Sequence, residues 1–116
     1  MAYSARIDIL RPREVKDRYS SEAVSLDYSD PIVIPVERRV SLQPAASREQ
    51  GDNRNGIITG WVLTTPTGMD LDLRSTDRVR HGERVLEVSG DVARWPHPIR
   101  PDLVHHVEAA LEEVRG

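Results

Sequence analysis

The chain is predicted to be mainly β, a small closed or partly open antiparallel β-barrel with long loops. Three observations predict it. Short stretches alternate apolar and polar residues with a period of two, which puts one apolar face on each strand. Val and Ile, whose β-branched side chains favour strands, carry most of that apolar content. Turn-forming Gly, Asn, Asp, Ser and Pro separate the stretches. The length of 116 residues suits one domain spanning 1–116, with a single core and no need of covalent staples. Hydrophobic residues at 38% and charged residues at 30% exclude simple disorder.

The first strand is expected over Tyr3–Leu10, where Ala5, Ile7 and Ile9 alternate with Arg6 and Asp8. Arg11-Pro12 should end it, because proline cannot donate to a central ladder. Residues 11–36 show no clean period and read as an extended arm or long loop over the surface. A structureless loop of that length is unusual unless a partner pins it. Its apolar stretch Ile32-Val33-Ile34 reads as the part of the arm that packs on a neighbouring subunit. Glu37–Gln43 is the second strand, with Val40 and Leu42 inward. Residues 44–56 are a polar, mobile hairpin loop in which Gly51, Asn53, Asn55 and Gly56 permit positive φ.

Ile57–Thr65 is the third strand, with Trp61, Leu63 and Thr65 sharing a face. Pro66-Thr67-Gly68 is a turn, and Leu71 and Leu73 flank Asp72 in a short alternation. Thr76–Arg80 is the fourth strand, His81-Gly82 a tight turn, and Glu83–Val88 the fifth strand, closed by Gly90. Prolines at 96, 98 and 101 argue against helix and central strand over Asp91–Asp102. Leu103–Val114 fits two patterns. Val104, Val107, Leu111 and Val114 make a helix face, and Glu, Ala and Leu favour helix. Val107, Ala109 and Leu111 also alternate as in a strand. The residues alone tilt toward helix. The expected core is Ile7, Ile9, Val40, Leu42, Trp61, Leu63, Val79, Val85, Val107 and Leu111.

Composition excludes several functions. The chain has no Cys, which removes disulfides, thiolate zinc sites and a cysteine nucleophile. No apolar run approaches the ~18 residues of a membrane span. The longest, Pro31–Val36, is broken by two prolines. Met1–Arg6 lacks the apolar segment of a signal peptide, so synthesis in a cytoplasm is expected. A net charge of −3 argues against a dedicated nucleic-acid binder. Of 16 cationic residues only Lys16 is lysine, a bias that fits a GC-rich genome.

No catalytic, cofactor or metal site is expected. On a strand the adjacent His105 and His106 would point to opposite faces, too far apart for a close chelate. Asp70, Asp72 and Asp77 lie in a turn-rich stretch where carboxylates make local hydrogen bonds. Trp61 and Trp95 read as core fillers before they read as platforms for bases. Several strands, two long polar excursions and no constellation of reactive groups suit an assembly or binding module.

Short motifs in the second half carry a resemblance. Thr64-Thr65-Pro66-Thr67-Gly68-Met69-Asp70-Leu71 comes first. Ser75-Thr76-Asp77-Arg78-Val79-Arg80-His81-Gly82-Glu83-Arg84-Val85-Leu86-Glu87-Val88 follows, then Gly90, Trp95-Pro96 and His105-His106-Val107-Glu108-Ala109. In this order they resemble the head-to-tail stopper proteins of long-tailed phages, also called head-closure or head–tail joining proteins. Actinobacterial phage members are the most similar. The likeness covers about residues 37–115 and the opening strand; 11–36 matches less well.

The resemblance implies a small β-barrel, not an enzyme, that forms a six- or twelve-fold ring of copies in the virion neck. The ring would sit between the portal–adaptor complex and the tail terminator or tail tube proteins. It would hold packaged double-stranded DNA in its lumen by a projecting loop. The resemblance also implies a strand, not a helix, over 103–114. The 44–56 loop is the expected channel or gating loop, through Arg48, Glu49, Gln50, Gly51, Asp52, Asn53 and Arg54. Its four charges sum to zero, so symmetry multiplies no repulsion on the axis. An oligonucleotide-binding barrel that takes single strands on Trp61 or Trp95 is the alternative. A metal-dependent hydrolase using His105, His106 and the Asp cluster is a remote third.

Overall fold

The computed structural model describes residues 2–16, 24–45 and 60–114. They form seven strands: β1 (Asp8–Lys16), β2 (Val24–Pro35), β3 (Ser41–Pro44), β4 (Gly60–Thr64), β5 (Arg78–His81), β6 (Arg84–Pro96) and β7 (Val104–Glu113). All pairings are antiparallel, in the order β2-β1-β5-β6-β7-β4-β3. The two ends of this sheet curl toward each other. Ala5 and Val40 exchange backbone hydrogen bonds of 2.9 and 3.0 Å in an isolated bridge. That bridge ties the chain before β1 to the chain before β3 and leaves a partly open barrel.

The barrel interior holds Ile7, Ile9, Val36, Val40, Leu63, Val79, Leu86, Val107, Ala109 and Leu111. Leu71 and Leu73, from the segment after β4, complete it. Leu42 and Trp61 pack against the core half-buried. Val85 lies outside the core cluster: its side chain lines a surface groove with His81, Arg84 and Glu113. Its neighbour Leu86 is the fully buried one. The alternation on β6 was legible, but its sense is opposite to the one that would bury Val85.

β7 is a strand because both neighbours demand it. It pairs β4 through Leu63↔Ala109 and β6 through Val88↔Leu111. Val107, Ala109 and Leu111 face inward, and Ala110 and Glu112 face out. Two ladders and one buried face outweigh the helix propensity of Glu, Ala and Leu.

Four other expectations are corrected. Residues 11–36 are no loose excursion: β1 and β2 form one long hairpin. Pro12 does not end β1, because beyond Leu10 that strand pairs only β2. Pro12 also sits at a register shift from Arg11↔Ile32 to Arg13↔Asp27, so no ladder asks for its N–H. Gly90 does not close β6. With φ of 80° it sits in the bulge between Ser89 and Ala93, and the strand runs on to Pro96. Residues 91–96 therefore belong to a strand, with Pro96 at its last position.

Candidate functional site

Two hairpins extend past the barrel. β1 keeps both neighbours only over residues 8–10, and β6 pairs β5 only over 84–87. Antiparallel order sends both extensions toward the same barrel end, where the segment 65–77 crosses the top. The 44–56 loop would leave from the opposite end. Of it, Pro44 pairs with Trp61 at the end of β3, and Ala45 N donates to Gly60 O at 2.9 Å. Arg48, Glu49, Gln50, Gly51, Asp52, Asn53 and Arg54 lie outside the described residues.

The predicted arm residues sit on β2. Ile34 packs against the core, whereas Ile32 and Val33 are 43% and 45% exposed. Leu26 and Val15 add further exposed apolar surface on the same hairpin. The outer edge of β2 has its own chemistry. Val36 N donates to Ile7 O at 3.2 Å, and the register Asp8↔Pro35 follows from there. Backbone groups of Ile34 and Ile32 therefore turn toward β1, and those of Pro35, Val33 and Pro31 turn outward. Two of these three outward positions have no N–H. Over residues 31–35 the edge therefore offers few donors to an added strand.

The base of this hairpin is locked by charge. Arg11 donates from Nε and Nη2 to the two carboxylate oxygens of Asp77, at 3.1 and 2.9 Å, and from Nη2 to Asp72 O at 2.9 Å. Asp77 is 1% exposed and also accepts Arg74 N at 2.9 Å. The hydrogen bonds of Asp77 hold the Arg11 guanidinium above its ordinary pKa, against the opposing effect of burial. Tyr28 Oη donates to Thr76 O at 2.8 Å, and Arg78 lies 3.9 Å over the Tyr28 ring. At the bulge, Ser29 donates through both Oγ and N to Asp27 Oδ1, at 2.6 and 2.9 Å. Those two bonds lower the Asp27 pKa. A groove of about 490 Å³ lies beside the lock, with Pro12, Leu26 and Ile32 as its apolar lining.

The second hairpin is secured differently. Arg94 Nη2 donates to Leu71 O and Leu73 O at 3.1 and 3.0 Å, which satisfies the carbonyls of the crossing segment. Its Nε lies 3.4 Å from Asp70 Oδ1. The Asp trio thus serves local hydrogen bonds and ion pairs with Arg94, Arg11 and Arg74. Toward the tip run four rings. Trp95 stacks on His106 at 6.0 Å, His106 meets His105 edge-on at 5.1 Å, and His105 lies 6.0 Å from His97.

Two expectations fail here. His105 and His106 do not diverge: their Nδ1 atoms are 2.8 Å apart, because the pair stands where β6 and β7 lose register near Pro96. Trp95 is not a core filler. It is 49% exposed, and its Nε1 donates to Glu108 Oε2 at 3.1 Å. Among the described residues, no three His, Asp or Glu side chains are placed to hold a metal ion. Sequence reasoning missed Arg11 and Arg94 as organisers. Single arginines facing a carboxylate-rich turn are the signal that marks them.

No family model matches the chain, and no curated protein matches it. Among solved structures, the solution structure of protein SF1141 from Shigella flexneri 2a is similar, with a TM-score of 0.55 at 17% identity. The match covers 96% of this chain and 92% of that one. It is a likeness of fold.

Proposed function

We propose that this chain is a structural assembly module of the head-to-tail stopper kind, acting as a ring of copies in a phage neck between the portal–adaptor complex and the tail. The observation that carries the reading is the first hairpin. It lifts Leu26, Ile32 and Val33 into solvent on a base locked by the half-buried Arg11 on the buried Asp77 carboxylate. A rigid support under exposed apolar side chains favours docking. The partly open barrel and the ordered motifs of residues 64–109 agree with the same reading. Packaged DNA would pass through the lumen, with Arg48–Arg54 as the gating loop.

A second reading has one observation in its favour. Trp95 stacks on His106 with half its surface exposed, an arrangement that can receive a base. One experiment separates the two. The chain is mixed with the portal–adaptor complex of its own genome and imaged, and binding to short single-stranded DNA is titrated against salt. Rings that form with the native chain and vanish with Ile32→Asp/Val33→Asp support assembly. The double variant must first show native circular dichroism. Absence of rings together with salt-dependent DNA binding that Trp95→Ala removes would overturn it in favour of the second reading.

A further inference from the structure

The turn between β6 and β7 is built around one imidazole. His97 N donates to Leu103 O and Leu103 N to Arg100 O, each at 2.9 Å, which closes the turn. Inside it, His97 Nδ1 accepts both Ile99 N and Arg100 N at 3.1 Å. A ring nitrogen that accepts carries no proton, so His97 stands here as the neutral Nε2–H tautomer. The adjoining pair makes a parallel demand. With His105 Nδ1 2.8 Å from His106 Nδ1, one ring must donate and the other accept. Two neighbouring contacts thus require an unprotonated Nδ1, and they share one hairpin end.

The surroundings do not answer an added positive charge. Arg100 and Asp102 belong to the turn itself. From β6, Trp95 stacks on His106, and the neighbouring Arg94 turns instead to Asp70 and the Leu71 and Leu73 carbonyls. From β7, Glu108 receives Trp95 Nε1. From the crossing segment, Gly68 N donates to His105 O at 2.7 Å. Asp70 and Glu108 are thus engaged by Arg94 and Trp95. Among the described residues, no carboxylate hydrogen-bonds to any of the three imidazoles.

We propose that this turn is a pH-operated latch: His97 holds it shut while neutral, and protonation at Nδ1 releases residues 97–103 with the barrel intact. A proton at Nδ1 would point N–H at the N–H groups of Ile99 and Arg100, turning two attractions into repulsions. Histidine is the side chain whose charge changes between about pH 5 and 8. The latch governs how the hairpin presents Ile99, which is 84% exposed, and Leu103, which is 45% exposed. It does not depend on the assembly reading.

The test is backbone amide NMR and hydrogen exchange on the full chain at pH 7.5 and 5.0, corrected for intrinsic exchange. In the native chain the protection of Ile99 and Arg100 should be lost at the lower pH, because a protonated Nδ1 cannot accept their N–H groups. Val79 and Leu86 should be unchanged. His97→Asn supplies an oxygen acceptor that cannot charge, so protection of the two amides should persist at pH 5.0. Equal protection at both pH values in the native chain overturns the latch. So does a His97→Asn chain that loses protection on acidification as the native chain does.

Discussion

The two long hairpins leave the same end of the barrel, yet different forces hold them. The β1–β2 hairpin is anchored by a charged pair in a dry setting, Arg11 on the buried Asp77, with Arg78 laid over Tyr28. The β6–β7 hairpin is anchored by Arg94 on two main-chain carbonyls and finished at its tip by imidazoles. A charge-locked support thus stands beside one whose tip is closed by an accepting imidazole nitrogen. Their separate anchors lead to the expectation that each can be loosened with the other left in place.

The largest effect should come from the floor they share. Leu73 is fully buried beneath both, and Leu73→Ala should destabilise the chain by about 3–4 kcal/mol in urea unfolding, the usual size for a buried leucine. Both hairpins should lose exchange protection together. Asp77→Ala comes next. It leaves Arg11 with only its Asp72 contacts and Arg74 N without its acceptor, at about 2 kcal/mol. Its signature is selective, since amides of β1 and β2 should loosen more than those near Trp95. Asp77→Asn, which keeps one acceptor oxygen, should lose less. Arg94→Leu should show the opposite selectivity at about 2 kcal/mol, because two buried carbonyls lose their donor. Equal loosening of both hairpins by either variant would erase the distinction drawn between them.

The smallest effect concerns acid. Asp27 has a lowered pKa, so its bonds from Ser29 stabilise the bulge above the ordinary carboxylate range. That contribution fades as pH falls through the lowered value. Exchange at residues 27–29 should therefore rise only in strong acid, well below the range in which the other hairpin's tip responds. Ser29→Ala removes the Oγ bond and keeps the backbone N–H bond, so it should shrink this acid step.

Much of the barrel was legible in the chain. The alternation of Ile7 with Ile9 and of Val107 with Leu111 marks residues that the structure buries, whereas Ala109, Leu71 and Leu73 are buried although the expected core left them out. The hairpins were not legible, for identifiable reasons. Pro12 and Gly90 carry local signals of termination, but a bulge with one-sided pairing removes the backbone demand that makes such residues terminate a strand. β2 was invisible because its distal half pairs only β1 and meets little of the core. Its exposed Leu26, Ile32 and Val33 break the expected period. The His105–His106 contact escaped because alternation assumes a regular strand, and the pair stands at an irregular end. Of the strand expected over 37–43, only 41–43 lie in β3, with Val40 in an isolated bridge to Ala5 and 37–39 outside any strand.

The prolines at 31 and 35 carry a last consequence. A sheet margin that offers bare hydrogen-bond donors invites endless lengthening, one chain laid on the next, until a fibre results. Over residues 31–35 that margin is capped at two of three outward positions. If copies assemble as proposed, a joint along this stretch would rest on side chains, and such a joint can close on itself where an added strand would extend without end.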